Sequence, residues 1–169
     1  MINRVVDTIT VSTTIAKPRE EVFEYLADIA NHAEFTDHYL VDWRLTRVDP
    51  YGLGAGARFR IKAPLSRFAW ADVTFVELAP PYRIVEHGRG GKYNRIRMLG
   101  TYTLSPAAGG TTKVQYTFET EPPLLSDKLL EALGGRVWTR RQVAKSMRRL
   151  RAILEDGKQR GRRTTVAAG

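Results

Sequence analysis

Ile15-Ala16-Lys17-Pro18-Arg19-Glu20-Glu21-Val22-Phe23-Glu24-Tyr25-Leu26-Ala27-Asp28 is the stretch on which the fold turns. Proline suits a first helical position, because its ring already holds the helical φ and its missing N–H would have no intrahelical partner there. Glu20, Glu21 and Glu24 then complement the positive end of the helix dipole, and Val22, Phe23, Leu26, Ala27 and Ile29 recur at helical spacing. Upstream the period changes. Val5, Ile9, Val11 and Ile15 alternate with Thr8, Thr10, Ser12 and Thr14, the pattern of a strand with one buried face. Downstream, a second short helix is expected around Asn31 to Asp37.

From Val41 to Glu121 the pattern is almost all strand, over 41–49, 57–63, 68–78, 82–88, 95–105 and 111–120. The breaks are Gly52-Leu53-Gly54-Ala55-Gly56, Ala79-Pro80-Pro81-Tyr82, Gly88-Arg89-Gly90-Gly91 and Pro106-Ala107-Ala108-Gly109-Gly110. Strands joined by short turns build an antiparallel meander. Leu125 to Glu155 reads as helix, with Leu125, Leu129, Leu133, Val143, Met147, Leu150 and Leu154 on one stripe and Arg141, Lys145, Arg148 and Arg149 on another. Gly134-Gly135 either kinks this helix or divides it, since two interior glycines cost roughly 2 kcal/mol. The tail from Lys158 has no apolar period and is expected to be disordered, leaving residues 1–157 as one domain. A sheet with one apolar face and a helix with one apolar stripe satisfy each other if the sheet curls around the helix.

At 169 residues and 43% apolar composition the chain has the size and core of one globular domain, which excludes collagen-like and disordered classes. It has no cysteine, and therefore no disulfide, thiolate nucleophile or cysteine-bound metal. The apolar runs are too short to span a membrane, and Met1 to Asp7 does not read as a secretory signal, so the expected location is cytoplasmic. The formal net charge is +9, and it is unevenly placed. Residues 1–135 carry 16 basic and 16 acidic side chains, whereas residues 136–169 carry 11 basic side chains against Glu155 and Asp156. The imbalance thus belongs to the last helix and tail. It fits either a solvated helix face or a weak contact with anionic lipid or RNA.

Four segments carry a family likeness. They are residues 15–28, the glycine turn before Ala57-Arg58-Phe59, Val76-Glu77-Leu78-Ala79-Pro80-Pro81-Tyr82-Arg83-Ile84-Val85, and Tyr102-Thr103-Leu104-Ser105-Pro106 leading to Gly110-Thr111-Thr112-Lys113-Val114. With the element order, they make the chain resemble a bacterial single-domain member of the SRPBCC superfamily, which takes in START domains, birch pollen allergens and the polyketide cyclase/dehydrase group. The resemblance covers about residues 6–155. It implies the α+β helix-grip fold, a curved antiparallel sheet of about seven strands wrapped on a long C-terminal helix, with two short helices after the first strand. That fold hosts carriers, sensors and enzymes alike, so the resemblance leaves the reaction open.

A sheet wrapped on a helix leaves a cavity lined by the inward residue of each strand. Alternation selects Trp43, Phe59, Val73, Phe75, Val85, Ile96, Met98, Tyr102, Val114, Tyr116 and Phe118, with Phe35 and Tyr39 near the mouth and Met147 on the helix. A slip of one residue would turn any of these strands inside out. If Phe75 and Val85 face inward, His87 follows them, where a neutral imidazole could serve as acid or base; the competing reading is a structural histidine. Asp72 and Glu86 fall on the opposite face in that register. Arg136 and Arg140 lie within the apolar stripe of the helix wheel, either reaching into the cavity as an anion clamp or snorkelling to its rim. His32, Asp37 and His38 do not form a metal-ligand spacing, and no nucleophile elbow or phosphate loop is present, so neither metal nor cofactor is expected.

Two functions remain. One is the enclosure of a small hydrophobic molecule, such as a lipid, an isoprenoid or an aromatic polyketide-like compound. The other, which the resemblance implies, is a cyclase or dehydrase acting on a carbonyl compound in the same cavity, with His87 or Tyr102 moving a proton and Arg136 or Arg140 stabilising an enolate.

Overall fold

The computed structural model describes residues 7–64, 69–121, 134–158 and 160–165. Its elements are β1 (Asp7–Ile15), α1 (Arg19–Leu26), a 3-10 turn (Ile29–Asn31), α2 (His32–Thr36), β2 (Leu40–Leu45), β3 (Gly56–Ile61), β4 (Trp70–Ala79), β5 (Arg83–Gly90), β6 (Ile96–Ala107), β7 (Thr111–Glu121) and α3 (Arg136–Asp156). All seven strands join one antiparallel sheet in the order β1-β7-β6-β5-β4-β3-β2. The chain thus runs as a meander from β2 to β7, and β1 closes on β7 from Asp7↔Thr120 to Ile15↔Thr112. The helices α1 and α2 connect the two edge strands. This is the helix-grip architecture expected from the sequence.

Pro18 stands one place before α1 in extended conformation, so the helix starts at Arg19. Its apolar side chains Val22, Phe23 and Leu26 are fully buried, as the spacing requires. The helix α3 begins directly after Gly134-Gly135 and presents Val143, Met147, Leu150 and Ile153 to the sheet. Ile153 takes the fully buried place that the wheel assigned to Leu154, which packs at the core's margin. The expected stripe residues Leu125, Leu129 and Leu133 lie outside the described residues. The helix ends at Gly157, whose φ of +66° lets its amide reach back to the Ile153 carbonyl at 2.9 Å. Near this end, Glu155 accepts the Ala16 amide at 2.7 Å, tying α3 to the link between β1 and α1.

Two departures from the sequence reading matter for the site. The first is a bulge in β4: Phe75 pairs with Glu86 but Glu77 pairs with Val85, leaving Val76 as the extra residue, exposed to solvent. Cross-strand partners share a face of the sheet. Because Glu86 is opposite Phe75 and Ile84 opposite Tyr102, those residues of β5 face inward, and Val85 and His87 face out. The second concerns the tail. Residues 160–165, expected to be disordered, pack along the back of the 3-10 turn and α2. The Gly161 and Thr164 amides donate to the Glu34 and Ala30 carbonyls at 2.8 and 3.1 Å. Arg160 pairs with Glu34 at 3.0 Å and Arg163 with Asp28 at 2.6 Å, and Thr164 is buried. The tail's excess charge is therefore partly spent within the molecule.

Candidate functional site

Between the concave face of the sheet, α2 and the N-terminal half of α3 lies a cavity of about 820 Å³. Its walls are largely aromatic. Trp43 and Phe59 pack with ring centroids 4.7 Å apart on the β2–β3 side, and Tyr102, Tyr116 and Phe118 form a second ring cluster, with centroids 4.5 and 6.5 Å apart. Tyr39 and Trp138 meet edge to face at 5.9 Å, joining the segment after α2 to α3. Phe35, Val73, Ile96, Met98 and Met147 add to the apolar lining.

The inward faces of β5 and β6 carry glycines in the cavity wall, at Gly88, Gly90 and Gly100. Gly100 has a particular consequence. A Cβ built there would stand 2.5 Å from Glu86 Oε1 and 2.6 Å from the Tyr116 hydroxyl, so the absent side chain is what lets those two groups meet. The Tyr116 hydroxyl donates to Glu86 Oε1 at 2.8 Å, and Glu86 is 8% exposed. Burial pushes the Glu86 carboxyl from its ordinary 4.5 up to about 7, against the opposing pull of the Tyr116 hydrogen bond. The phenols of Tyr102 and Tyr116 are raised well above their ordinary range, by burial first and then by the charge of Glu86. The pair is thus a carboxyl that titrates near neutrality and a phenol that keeps its proton.

His32 is the other buried polar ring of this region. Its Nε2 donates to the Leu26 carbonyl at 2.8 Å, which fixes the tautomer, and its ring packs within 5.3–5.6 Å of Phe35, Phe75 and Tyr102. Burial lowers it from 6.5 to about 4, so it is neutral at ordinary pH. His38 is bound by its Nε2 to the Gln142 carbonyl and accepts from Arg149 on Nδ1. Arg149, which the helix wheel assigned to the exposed basic stripe, instead turns inward to Asp37 at 2.5 Å and to the Glu34 carbonyl at 2.9 Å. It ties α3 to the end of α2 and so holds the cavity wall in place.

Of the side chains selected from sequence, Phe35, Trp43, Phe59, Met98, Tyr102, Tyr116, Phe118, Arg136 and Met147 line the cavity. Phe75 and Val114 are buried in the core beyond it. Val85 and His87 do not enter it; His87 lies exposed on the outer face of the sheet, opposite Thr74 and Leu99. The bulge at Val76 and the inward register of Glu86 reverse the expectation for both. Arg136 sits at the rim, where its guanidinium donates to the Thr8 carbonyl at 2.8 Å, while Arg140 is exposed to solvent on α3. Glu86, placed outside by the sequence reading, is the buried acid among the described lining residues, which also include the partly exposed Asp72. Ser146, Thr139 and Trp138 also reach it and were not selected. Among the described residues no cluster of three or more His, Asp or Glu side chains is set to hold a metal ion, and no helix is long and apolar enough to cross a membrane.

Solved structures share this architecture. A truncated norcoclaurine synthase from Thalictrum flavum superposes with a TM-score of 0.69 at 11% identity, covering 92% of this chain and 98% of that one. TTHA0849 from Thermus thermophilus gives 0.66 at 13% identity over 88% of this chain and 97% of its own. CV1439 from Chromobacterium violaceum gives 0.62 at 19% identity over 88% and 96%. At these identities the likeness shows the fold alone. No curated protein matches the chain. The family described as polyketide cyclase / dehydrase and lipid transport matches residues 7–155, from the first residue of β1 to the last turn of α3. By that match and by its helix-grip fold, the chain belongs to the polyketide cyclase/dehydrase and lipid transport family, within the SRPBCC type.

Proposed function

We propose that the protein encloses a small hydrophobic molecule in the cavity between the sheet and α3. The observation that carries this is the cavity itself: about 820 Å³ walled by aromatic and aliphatic side chains, with a few polar groups brought together at Glu86 and Tyr116. This is the usual composition of a small-molecule pocket, an apolar enclosure with a small polar anchor. Native mass spectrometry of the freshly purified protein, followed by extraction, tests the reading. A stoichiometric hydrophobic passenger is expected. A protein that arrives empty and stays empty against lipid, isoprenoid and aromatic polyketide panels refutes it.

A second reading, a cyclase or dehydrase acting on a carbonyl compound, is favoured by one observation. A carboxyl that titrates near neutrality beside a protonated phenol is suited to taking a proton from a carbon next to a carbonyl while the phenol donates to the oxygen that gains charge. In this reading Glu86 and Tyr116, with Tyr102 beside them, take the roles for which the sequence suggested His87 or Tyr102 as proton carrier and Arg136 or Arg140 as enolate stabiliser. Turnover of a carbonyl compound found in the cavity should fall at least about a hundredfold in Glu86→Gln. Unchanged turnover in that variant would remove Glu86 from the chemistry.

A further inference from the structure

The charged inventory of the cavity is lopsided. Glu86 is buried against it with Tyr116 as its hydrogen-bond partner, and Asp72, the other acid of the described lining, accepts from the Arg89 amide at 3.2 Å. Around Glu86 stand neutral groups: the phenols of Tyr39, Tyr102 and Tyr116, and the His32 ring, 5.6 Å from that of Tyr102. The only Lys or Arg among the described lining residues is Arg136, at the rim and engaged with the Thr8 carbonyl. A buried carboxyl with a hydroxyl partner and no cation is costly to ionise, and the cost falls when a positive charge arrives beside it. The neighbouring lining suits such a charge, because Tyr102, Tyr116 and Phe118 are aromatic rings, whose quadrupoles attract a cation that lies over a ring face. An incoming carboxylate gains no such pairing at Glu86, and among the described lining residues the one Lys or Arg is Arg136 at the rim.

We infer that the cavity takes a hydrophobic amine, its ammonium set against Glu86, and turns away carboxylates of the same skeleton. The inference rests on the reading of the cavity as the binding site and adds the charge of what fills it. Binding has a proton balance. In the empty cavity Glu86 spends much of its time as the neutral acid; on meeting R–NH₃⁺ it becomes the carboxylate, one O–H bond breaks, and the proton leaves to solvent while the ammonium keeps all of its own. Amine binding therefore releases protons below neutral pH and ceases to do so well above it.

The test uses the full chain and three probes of one shape, naphthylethylamine, naphthylethanol and naphthylacetate, in titration calorimetry with buffers of different ionisation heat. The amine should bind at least about tenfold more tightly than the alcohol, and the acid most weakly. Amine binding should release close to one proton at about pH 5.5 and close to none at about pH 8.5. Glu86→Gln, which can still accept from Tyr116, should erase both the preference and the release. Equal affinity for all three probes, or the acid binding best, overturns this inference while the cavity reading stands. Binding of none overturns both. The comparison of probes and the proton count are made on the unaltered protein, so the result does not depend on how the variant folds.

Discussion

Glu86 and His32 should pull the stability of this protein in opposite directions with pH, and one substitution should expose the balance. Glu86 is raised from 4.5 to about 7 by burial. Its native form binds a proton that the unfolded chain has already lost, so this contribution is complete below pH 4.5 and is lost as pH rises through 7. His32 is lowered from 6.5 to about 4. The unfolded chain binds a proton that the native ring refuses, so this contribution is complete above pH 6.5 and is lost as pH falls towards 4. Each shift corresponds to about 3 kcal/mol. Between pH 4.5 and 6.5 the slopes of these two groups nearly cancel in the unaltered protein. In Glu86→Gln the amide oxygen can still accept from Tyr116, but the ionisation is gone. The variant should gain about 3 kcal/mol over the parent at alkaline pH, roughly 10 °C in Tm for a domain of this size, and should lose that advantage in acid, where the opposing slope of Glu86 no longer offsets that of His32. Chemical denaturation of both proteins at half-unit steps of pH measures the difference, and groups that titrate alike in the two, such as Glu155, drop out of it. Parallel profiles would refute the burial of an ionisable Glu86 in the native state.

Three further expectations follow from the same geometry. Gly100→Ala places a methyl group in the space where Glu86 and Tyr116 meet, and should cost about 1–3 kcal/mol by overpacking and weaken binding of any cavity ligand, read by denaturation and probe titration. A chain ending at Lys158 loses the cation beside the buried Glu34 carboxylate, the Arg163–Asp28 pair and two backbone hydrogen bonds. It should unfold about 1–3 kcal/mol more easily and exchange amide hydrogens faster around α2; unchanged exchange there would show that residues 160–165 do not hold that segment. Arg140→Ala, at a position that the helix wheel offered to the cavity, should leave both stability and probe affinity within about 0.5 kcal/mol, because the side chain is exposed on α3.

The fold was legible because its signals are local and repeated. Pro18 with Glu20, Glu21 and the Val22-Phe23-Leu26 spacing marks one helix, the Val143-Met147-Leu150 spacing marks another, and the strand boundaries follow turns rich in Gly and Pro. Each strand was located to within a few residues at either end. The docking of residues 160–165 was hidden for the opposite reason. Arg160 and Arg163 look like solvated charge in the chain, and their partners Glu34 and Asp28 are more than a hundred residues away. Only tertiary pairing makes the tail part of the fold.

The site was half legible, and β5 shows where reading stops. In Arg83-Ile84-Val85-Glu86-His87-Gly88-Arg89-Gly90 one alternate set is Ile84, Glu86, Gly88 and Gly90, and the other is Arg83, Val85, His87 and Arg89. Choosing the face by Val85 alone assigns His87 to the interior. Taken over the whole strand, the second set asks the core to accept two arginines and a histidine, and the first asks it to accept one acid. Burying the single carboxyl is the smaller cost, particularly when a tyrosine on the next strand but one can hydrogen-bond it across a glycine. That compensation is a relation among β5, β6 and β7 and is absent from any one of them. The bulge at Val76 adds a second obstacle, because it changes the face along β4 without a proline or glycine to announce it. Apolar wall residues such as Phe59, Met98 and Tyr102 survive such ambiguity, since their own strands offer one apolar face. The polar residues that give a cavity its chemistry are hydrophobic-pattern violations, so alternation places them outside, and they are found only when the register between strands is known.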